Sequence, residues 1–277
     1  MKKLTIVTIC YNEPRVEETC KSVVEQTWQD FEWVVIDGGS NDKTLKVFEK
    51  YKTRIDKFIS ESDNGIYNAY NKGLSLASGK YISFMNAGDS FYHREILKIF
   101  NCLTESNCAD VYYGNCELAL NNVNETVISN YPKTITSNFF ITHNICTQGM
   151  FIMKALFDIF GGFNEKYKIC ADYLKWLQFK KNNVTFEYLP LIVARYDLNG
   201  VSSKKETRKI TNKEKSEIKD MFFSKNEISN EEMKIEMKNK SKLSFWEKIF
   251  SVKNDFSGTH KVVTILSCSL RWKRRFY

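Results

Sequence analysis

The sequence predicts an α/β protein built on a doubly wound, mostly parallel sheet, followed by a basic, largely helical C-terminal extension. Three observations carry that expectation. β-rich and helical stretches alternate at short spacing through the first ~90 residues, the pattern of parallel strands joined by crossover helices. The strand-like runs are continuously apolar rather than alternating, as in strands covered on both faces. Charge is segregated: the formal +8 of the 277 residues divides into 22 basic and 23 acidic side chains up to Ser203, against 19 and 10 from Lys204 to Tyr277. A boundary at that point separates a 1–203 α/β domain from a 204–277 extension.

Leu4 to Cys10 is the first strand. Pro14 suits the first turn of a helix, and Val16, Cys20, Val23, Val24 and Trp28 follow at helical spacing. Phe31 to Ile36 is the second strand, ending in the turn formers Asp37-Gly38-Gly39-Ser40-Asn41-Asp42 before a helix marked by Leu45, Phe48 and Tyr51. Phe58-Ile59-Ser60 is a short third strand, Ile66, Tyr70, Leu74 and Ala77 mark another helix, and Tyr81 to Met85 is the fourth strand. Farther on, strand-like Val111-Tyr112-Tyr113 and Leu191 to Ala194 mix with helical Asp172 to Lys181.

Several classes are excluded. With 43% hydrophobic and 27% charged residues the chain buries a sizeable core and is too apolar for disorder. No apolar run approaches the ~18–20 residues that span a bilayer. Met1-Lys2-Lys3 has the charge of a signal peptide, but Tyr11-Asn12-Glu13 cuts the apolar stretch short and no small-residue cleavage site follows. The 8 cysteines are scattered without a CxxC pair, and read as reduced, mostly buried thiols. No GxGxxG follows the first strand, and Ser78-Gly79-Lys80 lacks the upstream glycine of a phosphate-binding loop, so dehydrogenase and P-loop readings lose their support. No repeat of 20–50 residues is present.

Ligands of such sheets bind beyond the carboxyl ends of the strands. Those ends are Cys10-Tyr11-Asn12, Asp37-Gly38-Gly39, Glu61-Ser62-Asp63 and Asn86-Ala87-Gly88-Asp89. Carboxylates there can accept a nucleobase N–H or hold a divalent metal on a diphosphate, tyrosine can stack on a base, and glycines admit close backbone approach.

Six motifs in order resemble the inverting family-2 glycosyltransferases of the GT-A fold, over about residues 3 to 203. They are Thr5 to Asn12, Val34 to Thr44, Ser60 to Gly73, Phe84 to Asp89, Gly161 to Glu165 with Ala171-Asp172-Tyr173, and Asn199 to Ser203. The resemblance implies that Thr8, Cys10, Tyr11, Asn12 and Asp37 line a nucleobase and ribose pocket, with Gly38, Gly39 and Asp42 close behind. It implies that Asn71 and Lys72 face the diphosphate, with Asn86, Ala87 and Gly88 also on the nucleotide. Simpler rivals exist: Tyr11-Asn12 as a plain loop, Asp37 as a helix cap, Lys72 as a solvated lysine.

The family's Asp-x-Asp at the end of strand four is absent, and Asp89 is the one carboxylate left there. Magnesium or manganese needs only one or two protein carboxylates when phosphate and water complete its shell, so a metal centred on Asp89 is expected. The rival is Asp89 as N-cap of a helix running to Phe100. Asp172 stands where the family places its general base, which takes the proton of the acceptor hydroxyl as that oxygen attacks the anomeric carbon. Its rival is also a cap. Ala171 replaces an acid common in relatives, and Thr147-Gln148 replaces a His-Gln pair, which touches the acceptor contacts expected near Gln148. Gly200 and Ser202 belong to a loop expected to close over the diphosphate.

In the extension, Met233, Met237, Leu243, Trp246, Ile249 and Phe250 recur at near-helical spacing among lysines, as in a basic helix lying on anionic lipid or docking on the domain. Nucleic acid is not expected, because no recognition module accompanies the basic residues. The resemblance therefore implies transfer of a hexose or N-acetylhexosamine from a nucleotide sugar, UDP-linked by the family's habit, to a glycan or polyprenyl-linked acceptor in bacterial surface-polysaccharide (lipopolysaccharide) synthesis. The implied location is cytoplasmic, peripheral at the inner face of the membrane. A catalytically idle GT-A scaffold that binds nucleotide or a partner enzyme is the alternative, and a nucleotide-sugar pyrophosphorylase ranks third.

Overall fold

The structure, a computed structural model, describes residues 2–119, 126–198, 200, 205–254, 260–265 and 268–273. Strand β1 (Leu4–Cys10) is buried along its whole length, and lies parallel to β2 (Glu32–Asp37) on one side and β4 (Tyr81–Phe84) on the other. β3 (Lys57–Ser60) continues the sheet beyond β2, giving the parallel order β3-β2-β1-β4. Two chain reversals meet between β1 and β4, which makes their carboxyl ends the switch point where ligands of such sheets bind.

Continuous burial of β1, β2 and β4 follows from helices on both faces. On one face Leu4, Ile6 and Cys10 join Val16 and Cys20 of α1 (Val16–Val24) and Phe48 of α2 (Thr44–Tyr51). On the other lies α3 (Ile66–Leu76), so close that a Cβ at Gly73 would stand 2.4 Å from Val7 Cγ1. Tyr70 of α3 packs on Phe84 at 4.3 Å between ring centroids, and Phe84 on Phe163 at 5.5 Å. Phe163 in turn meets Trp176 of α7 (Ala171–Lys181) at 6.0 Å. Burial of each such ring contributes roughly 2–3 kcal/mol, and this aromatic column fixes α7 against α3.

The second half of the sheet is mixed. β8 (Met150–Met153) runs antiparallel to both β4 and β6 (Val111–Ala119), and β6 pairs in parallel with β9 (Phe186–Asp197). β5 (Ser90–Phe91) adds to β9 with Ser90 opposite Arg195, which carries Asp89 to the end of β9. Asp89 is thus followed by a strand, not a helix; α4 (Ile96–Ser106) begins later, and the helix-cap reading of Asp89 is overturned. β7 (Thr126–Ser129) edges β6, and the short helices α5 (Phe139–Thr142) and α6 (Ala155–Phe160) complete this half. Cys10, Cys20, Cys116 and Cys170 are free and buried, Cys146 free and half-buried, and Cys102 and Cys108 free and exposed.

Compactness divides the chain after Phe222 rather than at 203/204. The helix α8 (Arg208–Phe222) belongs to the first unit despite its basic composition, because Ile218 and Glu214 are buried. The Glu214 carboxylate accepts the backbone N–H groups of Lys168, Ile169 and Cys170 at 2.8, 3.0 and 2.9 Å. The second unit holds α9 (Lys225–Ile249) and an antiparallel sheet ordered β10 (Phe250–Asn254), β11 (His260–Ile265), β12 (Cys268–Lys273). The helix was expected; the sheet was not. Met233 and Met237 are exposed on α9. No helix among the described residues is long and apolar enough to cross a membrane.

Candidate active site

A cavity of about 690 Å³ opens over the ends of β1 and β4. Cys10, Tyr11 and Asn12 form one wall, with Asn86, Ala87 and Asp89 beside them. Asn12 takes a left-handed conformation (φ 47°), stabilised because its N–H donates to Ser40 Oγ at 2.8 Å and its Oδ1 accepts the Asn41 N–H at 3.0 Å. That turn leaves the Tyr11 ring 64% exposed on the cavity wall. Opposite it is Asp63. A Cβ on Gly38 would lie 2.6 Å from Asp63 Oδ2 and 3.4 Å from the Tyr11 ring, so glycine keeps this slot open.

Other expected residues build the wall from behind. Thr8 is fully buried and its hydroxyl accepts the Trp33 indole N–H at 3.0 Å. Asp37 is fully buried too; its carboxylate accepts the N–H groups of Gly39 and Ser40 at 3.2 and 2.9 Å and the Ser60 and Ser40 hydroxyls. It shapes the Gly38-Gly39 turn, and its oxygens are already engaged. Asp42 accepts the Thr44 N–H at 2.8 Å outside the cavity. Asn71 binds the Phe163 backbone and Glu165, while Lys72 pairs with Glu61 at 2.8 Å and the Ser62 carbonyl at 3.2 Å. Neither reaches the cavity wall. Asn86 pairs through its side-chain amide with the Tyr70 hydroxyl. Gly88 has φ 93° and donates its N–H to Thr19 Oγ1 at 3.0 Å.

Asp89 is buried, with Oδ1 accepting the Asp197 N–H at 2.8 Å and Oδ2 the Gln148 amide at 2.7 Å. Burial pushes its carboxyl up to about 8, against the pull of these donors. Gln148 therefore holds Asp89 and accepts the Cys146 thiol, lining the neighbouring compartment at the same time. The Asp197 carboxylate pairs with Arg15, whose guanidinium is also clamped by Glu13 at 2.7 and 2.8 Å. Gly200 lines the cavity; Ser202 lies outside the described residues.

A second compartment of about 440 Å³ adjoins the first, and Ile66, Tyr67, Asn86, Ile169 and Tyr196 line both. Asp172 lines it. Its Oδ1 accepts the Tyr67 hydroxyl at 3.0 Å, and its Oδ2 the Thr147 hydroxyl at 3.2 Å and the Asn144 amide at 3.4 Å. Burial raises the Asp172 carboxyl above the ordinary range, while hydrogen bonds from the Tyr173 backbone, Tyr67 and Thr147 and the charge of Lys215 oppose the shift.

Sequence reasoning missed Tyr67, Asn144, Asp197, Arg15 and Glu214. Tyr67 lay inside a recognised motif, and Asp197 lies just ahead of the Asn199 loop, so those two had a positional signal. Glu214 and Asn144 had none.

For a divalent metal, the described residues contain no ready cluster of three ligating side chains. The charge of the wall nevertheless fits one: Glu13, Asp63, Glu165 and Asp197 line the cavity against Arg15 and Lys168, with the raised carboxyl of Asp89 among them. A diphosphate entering that surface meets like charge, which a cation beside it would offset.

A parallel nucleotide-type half joined to a mixed half, with an open cavity over its switch point and a half-buried carboxylate next door, defines a GT-A transferase. The chain belongs to glycosyl transferase family 2, whose pattern matches residues 5–160. It is 28% identical over 188 residues to a PGL/p-HBAD biosynthesis glycosyltransferase of Mycobacterium bovis, covering 66% of this chain and 72% of that one. It is 27% identical over 209 residues to the Escherichia coli UDP-Glc:alpha-D-GlcNAc-diphosphoundecaprenol beta-1,3-glucosyltransferase WfgD, covering 73% and 80%. Among solved structures, S. aureus TarS 1-349 in complex with UDP matches with TM-score 0.59 at 20% identity, covering 70% of this chain and 60% of that one. Mannosyltransferase PcManGT from Pyrobaculum calidifontis, in complex with GDP-Man and Mn2+, matches with TM-score 0.55 at 16% identity, covering 70% and 56%. This chain thus spans somewhat under two thirds of those two structures.

Proposed function

We propose that this protein is an inverting glycosyltransferase that moves a hexose or N-acetylhexosamine from a UDP-linked donor to a hydroxyl of a glycan or polyprenyl-linked acceptor. The observation that carries the reading is the pair of adjoining compartments, one over the strand ends and one holding Asp172, with Tyr67 and Asn86 on both. The nucleotide would occupy the first, its base in the slot between Tyr11 and Asp63. The acceptor would occupy the second, where Lys215 on the wall suits an anionic group such as the phosphate of a lipid-linked sugar.

In the transfer, the acceptor hydroxyl gives its proton to the Asp172 carboxylate while its oxygen bonds to the anomeric carbon. The bond from that carbon to the diphosphate breaks, its electron pair leaves with the nucleoside diphosphate, and the anomeric configuration inverts. A raised carboxyl is a stronger base, closer in strength to what a neutral-pH proton transfer needs. Magnesium or manganese, held by Asp89 and Asp197, would supply positive charge to the departing diphosphate. The basic C-terminal residues would add on the order of 1 kcal/mol each near an anionic leaflet, holding the protein peripherally where a lipid-linked acceptor resides.

The test is transfer from UDP-sugars with manganese, for the native protein and Asp172→Asn, alongside calorimetry with UDP. The variant should bind UDP as the native protein does and lose roughly 10²–10⁴-fold in rate. An undiminished rate would remove Asp172 as the base, and UDP binding without any turnover would favour the idle scaffold.

A further inference from the structure

We propose that Tyr67 is a positioning residue that serves Asp172 in both of its protonation states; this rests on the reading of Asp172 as the base. The Tyr67 hydroxyl lies 3.0 Å from Asp172 Oδ1 and 2.6 Å from the Ile169 carbonyl oxygen. It has one proton and two acceptors, and a hydroxyl rotates to suit its partners. While Asp172 is ionised, the phenol proton turns to Oδ1. Once Asp172 has taken the acceptor's proton, the new O–H on Oδ1 donates to the phenol oxygen, and the phenol proton turns to the Ile169 carbonyl. Asp172 Oδ1 and the phenol are therefore bonded to each other in both states, and the Ile169 carbonyl receives the phenol proton only in the second.

Oδ1 is the oxygen placed for this exchange. Oδ2 already receives the Asn144 amide and the Thr147 hydroxyl, whereas Oδ1 faces Tyr67, whose side lines both compartments. The ring is immobilised: it stacks on Phe163 at 5.6 Å and meets the edge of Tyr70 at 5.9 Å. Burial and the charge of Asp172 push the phenol well above its ordinary range, so it remains a donor throughout. The Ile169 carbonyl is itself held, because Glu214 fixes the N–H groups of residues 168 to 170. The other titratable groups facing Asp172 are Tyr70 of α3, Cys170 at the head of α7 and Lys215 of α8, with Cys146, Tyr131 and Tyr196 on the same compartment.

Tyr67→Phe deletes one oxygen and keeps the ring contacts, so the fold is retained. The measurements are kcat against pH for native protein and variant, the carbon-13 NMR titration of the Asp172 carboxyl, and calorimetry with UDP. Losing a charge-assisted hydrogen bond should raise the acid limb of kcat and the Asp172 titration by about one pH unit, so that kcat falls about tenfold at pH values below the native limb and less above it. UDP affinity should not change. An acid limb and carboxyl titration that stay in place, or a kcat lowered equally at every pH, would overturn the role of Tyr67 alone. A native protein whose kcat shows no acid limb while the carboxyl titrates would overturn Asp172 as base, and this inference with it.

Discussion

The two compartments of the cleft are built by opposite means. The donor side is made of strand-end backbone, an exposed tyrosine and a slot that glycine keeps open. Its negative wall waits for a partner. The acceptor side is made of buried and half-buried side chains from distant parts of the chain, at 67, 144, 147 and 172, with Asp172 bonded to the other three. A site that receives a mobile nucleotide tolerates an open wall, whereas a base must be held in place before the substrate arrives. Substitutions that remove the scaffold of the acceptor side should therefore cost fold and chemistry together, and those on the donor side binding alone.

The largest effect is expected from Glu214→Ala. Three N–H groups ahead of Asp172, that of Cys170 buried and those of Lys168 and Ile169 part-buried, lose their acceptor, which costs about 3 kcal/mol and lowers the melting temperature by roughly 6–12 °C. Transfer activity should fall at temperatures where the variant is still folded, because the segment positioning α7 is released. A variant melting with the native protein would break the contrast, showing that the acceptor wall does not depend on its scaffold.

Tyr11→Ala is the donor-side counterpart. Loss of a base-stacking ring should weaken UDP binding about tenfold or somewhat more in calorimetry. Since Tyr11 is 64% exposed, the melting temperature without nucleotide should not move. A variant that melts early would place Tyr11 in the scaffold instead.

How much of this was legible in the sequence follows the same division. The parallel half was readable because continuous apolar runs and turn clusters are local signals, and β1, β2 and β4 follow them closely. Cys10, Tyr11, Asn12, Asn86, Ala87, Asp89 and Gly200 were expected at the site and line the cavity. Thr8 and Asp37 were expected to face the ligand, yet their hydrogen-bonding groups are used by Trp33 and by the 37–40 turn. Sequence shows that a polar residue sits at a strand end; it does not show what consumes its lone pairs. Asn144 and Glu214 reach the base only through the packing of α7 and α8, which no local pattern encodes. The 203/204 boundary followed charge, but charge does not report which face of α8 is buried.

Asp89 stands where the two compartments meet, bonded to Gln148 from one and to the Asp197 backbone from the other. Its carboxyl, pushed by burial from 3.8 to about 8, stays protonated in the native state at pH values where the unfolded chain has released it. The native state then binds more protons than the unfolded one, so stability declines as pH rises through that window. Asp172, raised by burial as well, adds to the decline in any variant that retains it. Asp89→Asn removes only the Asp89 share: between about pH 5 and about pH 8.5 the native melting temperature should fall further than the variant's, by roughly 2–4 °C for each kcal/mol removed. Manganese, which favours the ionised carboxylate, should flatten the native curve and leave the variant's unchanged. Parallel curves without metal would mean that Asp89 is ionised in the folded protein, which would make the junction of the two compartments part of the charged donor wall rather than of the preassembled acceptor side.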